Sequence, residues 1–281
     1  MQNVSNDPDA RGRDMNNRAS STHKQLGLQS RMRHYRTLVW HFVKRDFYLR
    51  HTGSALGVLW SLILPLAQLS VLSFTFGSII RVDIDHFPAF VFSALLPWTW
   101  FSSALASAGP LFFTHRDLVR KPAFPPAALI LVNTVSHLIT FLLSLPLLYG
   151  ILWWYGRLVP WNPIALLTLL VIQAVLIAGL SFMVATWNVF YRDVAQLVGI
   201  ALSLLFFLTP IFYRPIVSNE YLALLALNPL VPLITAYRAV LFEGVSPLWA
   251  SVAQTGAISA VICGLGYWMY RRFEPDVVDA V

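Results

Sequence analysis

Six stretches of this chain contain no Asp, Glu, Lys or Arg: residues 51–80, 86–115, 122–156, 158–191, 194–213 and 244–270. Each is at least as long as the roughly 20 apolar residues that cross a bilayer as a helix. One Asp, Lys or Arg at the centre of such a helix costs about 2.5–3.5 kcal/mol on insertion, so clean gaps are what a membrane-spanning chain should show. A soluble all-helical fold would instead need six helices that are apolar on every side. Only 12% of the residues are charged, against about 25% in soluble domains, too few to cover the surface of a chain this long. The expected fold is an all-α membrane protein.

The single cysteine, Cys263, lies in the last apolar run and has no internal partner for a disulfide. Residues 1–33 are polar and basic (Arg11, Arg13, Arg18, Lys24, Arg31, Arg33) and predict a disordered cytoplasmic tail. No apolar stretch follows these charges closely enough to make a cleavable signal. From residue 34 to 51 the pattern is amphipathic. Tyr35, Leu38, Val39, Phe42, Val43 and Phe47 recur at three- and four-residue spacing, with Arg36, His41, Lys44 and Arg45 opposite them. Basic residues facing an aromatic-rich stripe predict a helix lying in the membrane interface.

The transmembrane domain is expected over 52–270. Its spans are placed at about Leu56–Ile80, with Pro65 as a kink, Phe87–Phe113, Ala127–Tyr155, Ile164–Phe190, 194–213 and Trp249–Tyr270. Tyr191-Arg192-Asp193 joins the fourth and fifth by a tight turn, and 271–281 is read as a cytoplasmic tail. Residues 214–248 are ambiguous. Their charge-free core, 221–237, is short for a crossing and is interrupted by Asn228-Pro229 and Pro232. Irregular backbone at membrane depth survives only where protein or water satisfies it, so a re-entrant pair of short helices fits better.

Charge asymmetry separates six spans from seven. With six, sixteen of the twenty Lys and Arg face one side and only Arg81, Arg157, Arg214 and Arg238 the other. A seventh span would carry Arg271 and Arg272 to the outside, against the positive-inside rule. Six spans with both termini cytoplasmic are expected.

That topology puts THRDLVRKPAFPP, residues 114–126, in the cytoplasm between two long apolar runs. Thr114 with Asp117 three residues on has the spacing of a capping box. Pro122 stops the short helix, and Pro125-Pro126 can open the next. A compact helix carrying Arg116, Asp117, Leu118, Arg120 and Lys121 is suited to receive a push from a partner protein. The chain has no GxxxxGK[ST], HExxH, CxxC or GxSxG, so nothing in it binds a nucleotide through a Walker loop. Asn133, His137, Gln173 and Asn188 fall inside apolar runs as interhelical glue or pathway lining. No carboxylate lies in any span, which speaks against proton coupling. Most of the many tryptophans lie near span ends, as an interfacial belt would. Trp98, Trp100 and Tyr149 are the candidates for stacking on sugar faces along a conduit.

The chain resembles the membrane subunit of type-2 ABC exporters, particularly those for O-antigen, capsular polysaccharide and teichoic acid. The resemblance covers residue 35 onward. It rests on Arg45-Asp46, Arg50, Leu56-Gly57-Val58-Leu59-Trp60 with Pro65, and Leu95-Leu96-Pro97-Trp98 with Phe101. It continues in Leu118-Val119-Arg120-Lys121-Pro122 with Phe124-Pro125, Tyr191-Arg192-Asp193, Thr209-Pro210-Ile211-Phe212-Tyr213, and Leu227-Asn228-Pro229-Leu230 with Tyr237-Arg238. This resemblance implies two copies of the chain paired with two ATPase subunits, which bind ATP and Mg; the chain itself holds no cofactor. It implies that the helix between spans two and three couples to the ATPase, and that a lipid-linked glycan passes through a conduit between the copies in the bacterial inner membrane, with no nucleic acid involved. Two rivals remain at this stage. A type-2 exporter of drugs or other lipids usually carries a larger folded region before the last span than the compact segment here. A membrane-embedded glycosyl- or acyltransferase would need a polar cluster at one interface, for which Asp83, Asp85 and His86 are the dense candidate.

Overall fold

The computed structural model describes residues 40–45, 60–80, 82–121, 124–157, 159–160, 162–214 and 228–281. Among these residues the chain is helical, without strands. The elements are α1 (Trp60–Leu72), continued by a wide π-helical stretch (Ser73–Ile79), then α2 (Phe87–Ala108), α3 (Leu111–Thr114) and α4 (Arg116–Val119). They are followed by α5 (Ala127–Trp154), α6 (Pro163–Phe190), α7 (Val194–Leu208), α8 (Leu230–Arg238) with a π turn (Ala239–Glu243), and α9 (Trp249–Ala280).

Four helices, α2, α5, α6 and α9, are long and apolar enough to cross a membrane, and α1 and α7 are apolar but shorter. The shortness of α7 is local chemistry. Thr209 precedes Pro210, and a residue before proline is pushed from helical to extended backbone. Thr209 is extended, at ψ 132°, and the helix stops at Leu208, five residues before the expected end. At its start, Asn188 Oδ1 at the end of α6 accepts from Ala195 N (3.1 Å), which fixes the tight turn at 191–193.

The centre of the bundle is α2, against which α1, α5, α6, α7 and α8 all pack. In the most apolar window of α2, 78% of the residues are buried, against 22% in α9, so α2 is a core helix and α9 presents most of its surface outward. Gln173 Nε2 on α6 donates to the carbonyl of Pro97 on α2 at 2.7 Å, a buried interhelical bond of the glue kind. The closest helix pair is α6 with α9. A Cβ on Gly266 would lie 2.2 Å from Gly179 O, and one on Gly179 would lie 2.6 Å from Cys263 Cα. Two glycines therefore let the backbones touch, and a side chain at either position would collide with the facing backbone.

Residues 271–280 are helical: α9 runs on to Ala280 without interruption. Tyr270, Val277 and Val281, spaced seven and four apart, keep one face of it apolar and are all buried. In 214–248 the described part forms α8 and its π turn, which pack on α2 and bury Leu233, Ile234, Tyr237 and Leu241. Asn228 caps α8, accepting from Leu230 N at 3.0 Å, and Gly244 ends the π turn in the left-handed region at φ 73°. Residues 215–227 lie outside the described residues, as do Tyr35, Leu38, Val39 and Phe47 of the amphipathic segment. Residues 40–45 are helical, with Val43 buried. Phe42 meets Phe124 edge-on at 5.3 Å.

Candidate functional site

The loop between α2 and α5 is built as two single helical turns, α3 and α4, hinged at His115 (φ −112°, ψ 28°). This differs from the capped helix expected. The hydroxyl of Thr114 does not cap α4; it donates back to Pro110 O at 3.0 Å. The reason is that Thr114 still belongs to α3, where a threonine side chain satisfies the carbonyl four residues behind it. The helix-opening bonds instead come from Leu118 N and Val119 N to His115 O, at 2.9 and 3.1 Å. Phe124 N donates to Lys121 O at 2.9 Å, and α5 opens directly after Pro126. Pro122 lies outside the described residues.

The two faces of this loop differ sharply. Thr114, Arg116, Asp117, Arg120 and Lys121 are exposed, while Val119 is buried and Leu118 half-buried. The buried face stands on a small apolar core of its own, formed with Phe112, Phe124, the start of α5, the end of α6 (Ala185, Val189) and the end of α9. Phe112 lies 6.1 Å from Tyr270, centroid to centroid. Arg120 Nη2 donates to Val281 O at 3.0 Å. Val119 and Phe112 thus seat the loop against three long helices at once, α5, α6 and α9. Tyr270, Val277 and Val281 of α9 complete this seat; reading 271–281 only as a cytoplasmic tail passes over them, and their apolar spacing is the signal that marks them.

The conduit candidates sit elsewhere. Trp98 is buried, edge-on to Phe206 at 5.7 Å. Trp100 donates through Nε1 to Thr134 O (3.2 Å) and lies 5.7 Å from Phe141. In this conformation both rings are occupied by packing within one chain, and Tyr149 is half-buried. Trp100 nonetheless borders a narrow groove of about 20 Å³ between α1, α2 and α5, whose lining includes Thr99, Ser103, Thr140, Ser144 and His137. Next to it, Ser107 Oγ lies 2.8 Å from Asn133 Oδ1 and 3.1 Å from His137 Nε2. Helical spacing thus gathers the polar residues of two apolar runs on one seam.

At the opposite end of the bundle, Arg238 is 4% exposed yet charged. Its Nη2 donates to the carbonyls of Pro210 and Ile211, at 2.6 and 3.0 Å, and the guanidinium lies 3.8 Å from the Phe90 ring centroid. Burial pulls its pKa down to about 10, against the nearby Glu243 and with a smaller push from Arg214, so it keeps its proton at neutral pH. The carbonyls freed where α7 stops at Pro210 are what this cation satisfies. In the sequence Arg238 stands as a charge on one side and, with Tyr237, as part of the family resemblance; its buried contacts are not legible there.

The membrane-domain model of the ABC-2 type transporter family matches residues 37–242. The chain belongs to this family. An O-antigen export system permease protein, RfbA of Myxococcus xanthus, is 33% identical over 250 residues, covering 88% of this chain and 96% of the relative. A protein of the same name from Klebsiella pneumoniae is 28% identical over 203 residues, 72% of this chain and 78% of the relative. The polysialic acid transport protein KpsM of Escherichia coli is 23% identical over 243 residues, 84% and 93% of the two chains.

Proposed function

We propose that this chain is the permease subunit of an ABC exporter that moves a lipid-linked polysaccharide, of the O-antigen or capsular kind, across the bacterial inner membrane. The observation that carries the reading is the 33% identity to an O-antigen export permease over 88% of the chain. It is more specific than the family match, which fits exporters of drugs and other lipids as well. Under this reading α1 with its π extension, α2, α5, α6, α7 and α9 make six spans, the helix at 40–45 lies at the interface, and α8 with its π turn re-enters from outside. Both termini and the α3–α4 loop are cytoplasmic, as the distribution of Lys and Arg favours.

Two ATPase subunits drive two copies of the permease, each ATPase seated on Arg116, Asp117, Leu118, Arg120 and Lys121, with ATP and Mg held by the ATPase. A partner drives a conformational change only to the extent that it binds the two states with different free energies. Turning a 1:99 population into 99:1 takes about 5.5 kcal/mol of such difference. The seat formed by Val119 and Phe112 suits that load, because it is continuous with α5, α6 and α9. The hydroxyl-lined groove beside Trp100 is the stretch where a glycan would first find partners as α1 moves from α2 and α5, with Trp98 and Tyr149 above it.

Deleting the chain from its host tests the substrate. The reading predicts that the lipid-linked glycan accumulates on the cytoplasmic side and is lost from the cell surface. Normal surface glycan, with altered drug efflux instead, overturns it.

A further inference from the structure

Four charged side chains meet at the end of the bundle remote from the α3–α4 loop. Asp83 and Asp85 come from the α1–α2 connection, Arg157 follows α5 and Arg214 follows α7; with Phe242 they line an open pocket of about 210 Å³. None of the four pairs with another within 4.0 Å. The two guanidiniums are braced on rings instead, Arg157 at 4.5 Å from the Phe242 centroid and Arg214 at 5.6 Å from that of Phe90. Both carboxylates are exposed. His86, next to Asp85, holds the only left-handed backbone of any non-glycine among the described residues (φ 54°), with its ring 4.9 Å from Tyr155. A strained residue kept in place beside a pocket fixes the direction in which the connection leaves α2.

Two separated acids and two separated bases are an arrangement for a zwitterion. We propose that this pocket binds the headgroup of a phosphoethanolamine lipid, Arg157 and Arg214 donating to the phosphate oxygens and Asp83 and Asp85 accepting from the ammonium. The position fits. Trp153 and Trp154, 71% and 82% exposed, lie four and three residues before Arg157, and such rings sit at headgroup depth. A sugar is the less suitable occupant, because sugar sites offer a free aromatic face. Phe242 is 1% exposed and is covered by Arg157. The inference does not depend on which substrate is exported.

The test uses the full chain in nanodiscs of equal parts phosphatidylethanolamine, phosphatidylcholine and phosphatidylglycerol, with retained lipid counted by native mass spectrometry after transfer to detergent. Wild type should retain phosphatidylethanolamine over the other two. The D83N/D85N variant should lose roughly tenfold of that retention, the scale of a charge-assisted contact, and should hold phosphatidylglycerol at least as well. R157Q/R214Q should lose both lipids, and R157K/R214K should recover part. Because Asp83 and Asp85 are exposed, their replacement leaves the fold intact and decides the matter if the arginine variants do not fold. Three results overturn the proposal: no lipid preference in wild type, unchanged retention in D83N/D85N, or displacement of the lipid by soluble oligosaccharide. None of them bears on export, which these measurements do not read.

Discussion

Replacing Gly266 by alanine adds one methyl group where the structure has no room for it. The new Cβ would lie 2.2 Å from Gly179 O, 3.1 Å from Gly179 C and 3.3 Å from Phe182 Cβ. The nearest atom is backbone, so no side chain can swing aside, and α9 must move off α6 by about 1 Å to restore ordinary contact. Overpacking a close-packed site costs about 1–3 kcal/mol, and a clash against helix backbone belongs at the upper end of that range. In lipid, where close packing rather than hydrophobic burial holds helices together, there is little else to offset it. For a chain of this size about 3 kcal/mol corresponds to a melting temperature lower by roughly 6–12 °C. The internal control is Gly264, two residues away, whose added Cβ would meet nothing within 4 Å. There alanine should be neutral or slightly stabilising, because it is the better helix former by about 1 kcal/mol. Intrinsic tryptophan fluorescence of the purified chain during heating in detergent reads both variants. If Gly266→Ala melts with wild type, or if the two variants shift alike, the close contact between α6 and α9 is not what holds them.

Three further predictions concern polar and loop residues. Gln173→Leu removes a buried bond to Pro97 but also removes an amide oxygen that has no hydrogen-bond partner; the two effects oppose, and the melting point should move by the equivalent of less than about 1 kcal/mol. Arg238→Lys keeps the charge and N–H donors but loses the planar guanidinium stacked 3.8 Å from the Phe90 centroid, so it should cost about 0.5–2 kcal/mol in the same assay, against near-zero for the exposed Arg271→Lys. Val119→Ala should weaken export more than Leu118→Ala despite removing fewer atoms, since Val119 is buried in the seat and Leu118 only half so; equal loss in surface-glycan staining would show that burial is not what transmits the push.

α2 begins as expected and stops at Ala108, five residues short of its expected end. α5 and α6 match their expected spans to within one residue at each end, because a charged residue that ends a span is the same physical event in both descriptions. The same logic misplaced the end of α9. Arg271 and Arg272 mark where the chain leaves the apolar region, but helix continues wherever one face can still be buried, and Tyr270, Val277 and Val281 bury it. The end of α7 was overrun for the opposite reason: residues 209–213 carry no charge, yet Pro210 had already broken the helix. At the loop, the T-x-x-D spacing from Thr114 to Asp117 was real, but spacing alone does not say that Thr114 is still inside the preceding turn and bonded to Pro110. Trp98 and Trp100 show the limit for function. Aromatic identity is visible in sequence, whereas whether a ring faces a pathway or a neighbour depends on helix rotation, and here both face neighbours.

The central claim is that force enters through α4. Proline at Leu118 removes the bond from Leu118 N to His115 O and drives Asp117 out of helical backbone, so α4 is lost while the apolar runs that hold the chain in the membrane are untouched. The decisive measurement is ATP turnover and glycan export, taken together, for the Leu118→Pro complex with its ATPase. The account predicts that hydrolysis continues while export falls to background. Export at the wild-type rate would contradict it.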